Sequence, residues 1–410
     1  MLTRPRLSTS VAFYLQASIL VSFLAGSSAP TPLYGVYQAQ WGFSPITITV
    51  IFGIYAFAVL ATLLTAGSLS DYVGRRPVLL AATGLQAAAM LVFATAGGGS
   101  ALLIARILQG LATGAAAAAV GAGMLDIDRA KGTIANSVGP LTGTATGGIG
   151  SALMVQYLPA PTRLIYLVLF AIFVVQAVGV LWMPESVARK PGALASLRPK
   201  FGVPAAARQP FLLAVPVLVA SWALVGFYGS LGPTLVRHLV GSTSVVLGGL
   251  SLFVLAGAGG AAVLVLRTVP QRTEMVLGIA ALLVGVVLTL LAIDQASIAV
   301  FLAGTAVAGI GFGAGFQGAI RTVIPLAAAA ERAGVLSVLY VVSYFAMGLP
   351  AVIAGLRVVH SHGDVLGTAR EYGATVVVLA VLALLGAAVR RKPAVAWPVL
   401  ATDYRISKTS

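Results

Sequence analysis

The chain is predicted to be an all-α integral membrane protein, with twelve membrane-spanning helices arranged as two pseudo-symmetric bundles of six. Three observations lead there. Of 410 residues, 59% are hydrophobic and 9% charged, where a soluble domain carries roughly 25% charged residues, and the mean hydropathy is +1.01. Apolar stretches long enough to cross about 30 Å of hydrocarbon as helices of about 20 residues recur along the whole chain. The basic residues fall on alternate connections between those stretches, as the positive-inside rule requires.

Taken in order, the expected spans are 11–33, 46–69, 77–97, 100–125, 132–157 and 163–183, then 211–231, 244–266, 275–293, 296–320, 333–359 and 373–389. The first has the outline of a secretory signal, with Arg4 and Arg6 ahead of it and Gly26–Ala29 behind. The six-plus-six symmetry favours its retention as a span. Between the halves lies a connector with Pro184, Pro191, Pro199, Pro204 and Pro210 and five basic residues. Proline breaks helices, so the organisation is read as a first bundle (1–183), a linker (184–210), a second bundle (211–389) and a tail (390–410).

With both termini cytoplasmic, twenty of the 25 basic residues sit in cytoplasmic segments. Arg163, Arg237, Arg357 and Arg370 lie outside, and Arg106 alone falls within a span. The net charge of +15 is therefore a topology signal, with no nucleic-acid partner expected. The expected location is a bacterial-type cytoplasmic membrane. The absence of cysteine removes disulfides, thiolate metal sites and cysteine nucleophiles. Three histidines and no intramembrane acid pair leave nothing for an embedded enzyme, and no metal or cofactor is expected. No phosphate-binding Gly-x-x-x-x-Gly-Lys-Ser/Thr loop occurs, so energy must come from ion gradients.

The most informative stretch is Gly67-Ser-Leu-Ser-Asp71-Tyr-Val-Gly74-Arg75-Arg76-Pro77, between spans two and three. Asp71 lies at the partially negative end of one helix, and Arg75 and Arg76 at the partially positive end of the next. Each is locally unfavourable and wants a partner from elsewhere. Asp126 and Asp128, closing span four, suit Arg75 or Arg129. Such a cluster can form in one conformation and break in another. A faint echo recurs after span eight, where Val269 and Arg272 keep register with Val73 and Arg76.

These residues resemble the loop 2–3 signature of the major facilitator superfamily. Arg106-Ile-Leu-Gln109-Gly110 resembles its Arg-x-x-Gln-Gly motif, and Gly139-Pro140-Leu-Thr-Gly143 the core of its antiporter motif. The last match is partial: Thr144 replaces the second glycine, and Ala135 stands where the pattern has glycine. The resemblance, to the twelve-helix drug/proton antiporter branch in particular, implies two bundles rocking about a central cavity, with Gly139, Pro140 and Gly143 as a gating element of span five.

Arg106, about 9 Å deep by the helical rise, is an intramembrane charge and a functional candidate by default. All ten acids map to loops or span ends, so carbonyls, water or an anionic substrate must hold it. A cavity with an arginine and no acid favours neutral or anionic substrates. Further cavity candidates are Gln109, Gln16, Tyr55, Asn136, Trp222, Tyr228, Gln317, Tyr340 and Tyr344, polar or aromatic residues at mid-span. The expected function is secondary transport of a small molecule by a monomer in the bilayer, as proton-coupled efflux. An importer or uniporter of a metabolite is the alternative, and a non-transporting sensor or scaffold the third.

Overall fold

The structure is a computed structural model that describes residues 6–241, 244–328 and 331–388. Arg4 and the tail at 390–410 lie outside the described residues. The first half comprises α1 (Thr9–Ser28), α2 (Tyr34–Trp41), α3 (Pro45–Ala66), α4 (Ser70–Val73), α5 (Arg75–Ala94), α6 (Gly99–Ile127), α7 (Arg129–Tyr157) and α8 (Leu164–Trp182). The one-turn α9 (Ala193–Ser196) lies in the linker. The second half comprises α10 (Ala205–Ser230), α11 (Gly232–Val240), α12 (Val245–Leu266), α13 (Gln271–Asp294), α14 (Ile298–Val323), α15 (Arg332–His360) and α16 (Val365–Ala388). The described residues contain no strand.

Twelve of these helices are long, as expected, and eleven are apolar enough to cross a membrane by composition alone. The twelfth, α7, is diluted by its Gly-Thr-Ser run and still packs as a spanning helix. Gly143 sets it against Leu24 of α1, and Gly148 against Leu252 of α12. Small residues replace apolar bulk where two backbones must approach.

The first expected span is shorter than predicted because Pro30 and Pro32 lack the N–H that would continue α1, and the chain restarts as α2. The second half repeats this device, with α10 stopping before Pro233 and α11 following. The linker ends earlier than expected. Pro204 caps α10, and Pro210 and Pro216 lie inside it. The ninth and twelfth spans begin sooner than their hydropathy suggested, at Gln271 and Val365.

Two apolar cores form, one from α1 to α8 and one from α10 to α16. Met347 and Ala351 of α15 join the first core. The halves meet mainly toward the end of the bundle away from the linker. There Thr49 abuts Gly355, Ala152 abuts Gly249, Arg237 of α11 covers Gly35 of α2, and Gln156 Oε1 accepts from Val245 N–H at 3.1 Å. In mid-bundle Phe57 and Phe345 meet edge to face, 5.4 Å apart. Toward the linker, the α7 face that sets Val138 and Leu141 against Gly260 continues one turn on to Ile134, which is 40% exposed.

Candidate functional site

At the linker end, α3 and α5 are joined through α4 and Gly74. Gly74 has φ of +102°, a conformation only glycine adopts without strain. This turn swings Arg75 inward, and its side chain is buried. Its Nη1 donates to Ser70 Oγ at 2.6 Å and Asp71 Oδ1 at 2.5 Å, and its Nε to Asp126 Oδ2 at 3.2 Å. Asp126 also accepts from Ser186 Oγ at 3.1 Å. The structure thus joins Arg75 to Asp71 and Asp126.

Asp128 stands apart. It caps α7, accepting from Lys131 N–H at 3.0 Å, and that hydrogen bond holds its carboxyl below its usual pKa. Arg129 is exposed beside it at the start of α7.

Glu185, the one acid in the basic linker, is a member of the corner that sequence reasoning missed. Its carboxylate accepts from Arg75 N–H at 2.8 Å and Arg76 N–H at 3.1 Å. A carboxylate at the start of α5 satisfies unpaired amides and opposes the helix dipole, which compensates for two arginines placed there. The linker also docks through Lys190 N–H on Tyr72 O at 2.8 Å and Ser68 Oγ on Ser196 O at 3.1 Å. A cavity of about 200 Å³ opens here, lined by Gln16, Arg75, Asp126 and Glu185 among others.

Arg106 is fully enclosed near the opposite end. Its Nη1 donates to Ser27 O at 2.8 Å and Gln109 Oε1 at 2.7 Å, and its Nε to Tyr34 Oη at 3.1 Å. The rings of Tyr34 and Tyr55 lie 5.7 and 5.1 Å from its guanidinium carbon, within cation–π range. Gln109 Nε2 in turn donates to Gly26 O at 2.8 Å. Of the partners left open by sequence, carbonyls, a phenol and an amide are the ones present. They include the free carbonyls at the C-terminal end of α1, the favourable end for a cation.

At the junction of the halves, Trp222 of α10 sits among Phe312 and Phe316 of α14 and Tyr344 of α15. The centroid distances are 6.2, 5.4 and 5.1 Å. Tyr340 lies 6.5 Å from Tyr344. Trp222 and Tyr344 also pack on the core of the first half. Trp222 Nε1 and the hydroxyls of Ser221 and Ser343 are buried without a partner, whereas buried polar groups are ordinarily hydrogen-bonded.

The other cavity candidates lie elsewhere. Gln16 is buried against Gly123 at the linker end. Asn136 Nδ2 donates to Gly121 O at 3.0 Å, joining α7 to α6. Tyr228 is in the second core, its hydroxyl 2.7 Å from Thr289 Oγ1. Gln317, with its amide turned so that nitrogen meets acceptors, donates to Glu274 Oε1 at 2.7 Å and Val263 O at 3.3 Å. Gly139 and Gly143 bring α7 onto Leu20 and Leu24 of α1, and Pro140 lies inside α7.

Glu274, one of the ten acids expected at loops or span ends, is in the first turn of α13. It is fully buried and pairs with Arg321 Nη1 at 2.5 Å. The earlier start of α13 is what buries it.

Comparison with known proteins accords with this architecture. The profile described as Major Facilitator Superfamily matches residues 17–352. A crystal structure of a mutant form of the nucleoside transporter NupG superposes with a TM-score of 0.67 at 12% identity, covering 92% of this chain and 100% of that one. At that identity the likeness is one of fold. A search of curated proteins found none that matches the chain.

Proposed function

Starting from the Major Facilitator Superfamily, to which this chain belongs, we propose that this membrane transporter works by proton-coupled efflux of a neutral or anionic drug-like compound or metabolite. It would act as a monomer in a bacterial-type cytoplasmic membrane, with the linker end and both termini cytoplasmic. The two bundles, α1 to α8 and α10 to α16, are the bodies that rock. In that orientation, the contacts at the far end and the exposure of Ile134 at the linker end support reading this state as inward-open. The Arg75 corner is the element that rearranges, since its acids are half exposed and each can be solvated when released.

The observation that carries the substrate reading is the aromatic cluster around Trp222. It straddles both halves, so occupancy can differ between states, and within it Trp222 Nε1 is buried without a partner. Among the described residues no carboxylate pairs with that indole nitrogen. Apolar aromatic walls with a few convergent polar atoms suit a ring-bearing, uncharged or anionic compound. Arg106, closed off by its own partners, is assigned to holding α1, α2 and α6 together. Import or uniport of a metabolite is the second reading, favoured by Thr144 and Ala135, where span five departs from the antiporter pattern.

The test is substrate-induced proton movement in energised inside-out vesicles across a panel of anionic, neutral and cationic compounds. Asp71→Asn and Trp222→Ala serve as the two controls. Proton release with a neutral or anionic compound, lost in both variants, is expected. A response confined to cations overturns the substrate reading, and exchange without proton movement favours the uniporter.

A further inference from the structure

We infer that Glu274 is a proton-operated switch, at a second charged corner that mirrors the Arg75 corner with the signs reversed. The inference rests on the transport reading above and adds to it a group through which protons at the linker end bias the state of the bundles.

The two corners occupy equivalent places. In the first half, the start of α5 and the end of α6 bring Arg75 to Asp126; in the second, the start of α13 and the end of α14 bring Glu274 to Arg321. The first buries its cation among half-exposed acids, and the second buries its anion under a half-exposed cation. Among the described residues, Glu274 is the one fully buried carboxylate. Its enclosure follows from a glycine seam. A Cβ at Gly318 would lie 2.6 Å from Met275 N, and one at Gly304 2.8 Å from Thr289 N, so α13 and α14 run in backbone contact and close over the carboxylate.

The charged and titratable groups around it are few. Arg321 comes from α14, Arg272 is on its own helix, and Arg267 ends α12; Arg208, near the start of α10, donates to Val203 O at 3.2 Å. The described linker end of α16, residues 378–388, carries no ionisable residue. Gln317 supplies a neutral amide.

This set dictates the chemistry. A buried carboxylate is tolerated only while paired, and losing its partner leaves an uncompensated charge. Arg321 is 32% exposed and can swing to water. When it does, Glu274 takes one proton from the linker-end water, becoming a neutral acid that still accepts from Gln317. When Arg321 returns, the proton leaves to the same water. One proton is bound for each ion pair broken, and no other reactant is required. The Arg75 corner cannot serve in this way, because Asp71 and Asp126 are solvated and can be released as anions.

The chain has no cysteine, so Ile134→Cys introduces a single thiol on the α7 face where the seam parts. A fluorophore on that thiol, in full-length protein in lipid nanodiscs, is quenched with iodide between about pH 5 and about pH 9, the range open to a perturbed buried carboxylate. In this background quenching should follow a sigmoid with pH. Glu274→Gln should remove the sigmoid while melting as the parent does, Glu274→Asp should restore it with a moved midpoint, and Glu371→Gln, exposed at the far end, should change nothing. A flat parent, or a sigmoid unchanged in Glu274→Gln, overturns the proposal. If Glu274→Gln melts early, the decision passes to Glu274→Asp, whose unmoved midpoint overturns it. Substrate exchange is then measured in vesicles with whichever compound the panel identifies, and Glu274→Gln should remove its pH dependence while leaving exchange itself. Failure of the whole panel refutes transport and leaves the quenching result standing.

Discussion

The Arg75 and Glu274 corners place opposite charges in the same packing position, and their surroundings differ accordingly. Around Arg75 the chain gathers Ser70, Asp71, Asp126 and, through the backbone, Glu185. These four come from three segments, α4, α6 and the linker, so that corner reports on how separate segments are placed. Around Glu274 its side-chain partners Arg321 and Gln317 both come from α14. That corner is internal to one helical hairpin, and its state depends on protons and on one side chain. The difference teaches that burial, more than the number of partners, decides which group must change its charge when a pair opens.

Truncating the exposed partner should break this comparison most sharply. Arg321→Ala leaves a carboxylate buried and unpaired, a loss of roughly 3–5 kcal/mol, seen as a large fall in melting temperature at neutral pH. The deficit should shrink as pH falls, because a neutral acid no longer carries the buried charge. Arg75→Ala leaves acids that water reaches, so its cost should be near that of an exposed pair, about 1 kcal/mol, with little pH dependence of the same sign. Melting of the purified variants at two pH values checks both. Equal, pH-independent losses would mean that the corners are equivalent staples.

The glycines sharpen the comparison at a smaller scale. Gly318→Ala forces a methyl into the backbone of Met275, and overpacking of this kind typically costs about 1–3 kcal/mol. The strain is delivered beside Glu274, so the pH response at Ile134 should change together with stability. Gly74→Ala meets a backbone conformation reserved for glycine, also worth about 1–3 kcal/mol, and a carboxylate oxygen of Glu185 at 2.5 Å. It should loosen the linker while leaving the pH midpoint untouched. Protease accessibility of residues 184–204 and the quenching titration separate the two.

Legibility from sequence followed how local each feature is. The Arg75 corner was largely readable because Asp71, Gly74 and Arg75 lie within five residues and Asp126 ends a helix in the same layer. Glu185 was not, since the linker's basic composition directed attention to its charge excess. The burial of Glu274 was not readable because a hydropathy window starts a span where the apolar run starts, whereas α13 starts at Gln271, four residues earlier. The setting of Arg106 depends on where Pro30 ends α1 and frees its carbonyls, which no spacing rule locates. Of the cavity candidates, Trp222, Tyr340 and Tyr344 come together, while Tyr228, Asn136 and Gln317 are used by neighbouring helices. Mid-span depth was readable; helix rotation was not.

The smallest effect belongs to the two acids that follow one another at the end of α6. Both were expected to suit Arg75 or Arg129, yet only Asp126 reaches Arg75. Asp126→Asn should weaken the corner, since a neutral amide replaces the acceptor of both Arg75 and Ser186, and transport should slow. Asp128→Asn keeps a side-chain oxygen for the Lys131 N–H, and Asn caps helices about as well as Asp. What it removes is the charge. Because hydrogen bonding holds the Asp128 carboxyl below its ordinary value of about 4, that charge contributes at neutral pH and is lost only as pH falls through the lowered value. The variant should therefore melt slightly below the parent at neutral pH and converge with it as pH falls through that value. It should leave proton release intact, and a transport defect matching that of Asp126→Asn would place Asp128 in the moving cluster after all.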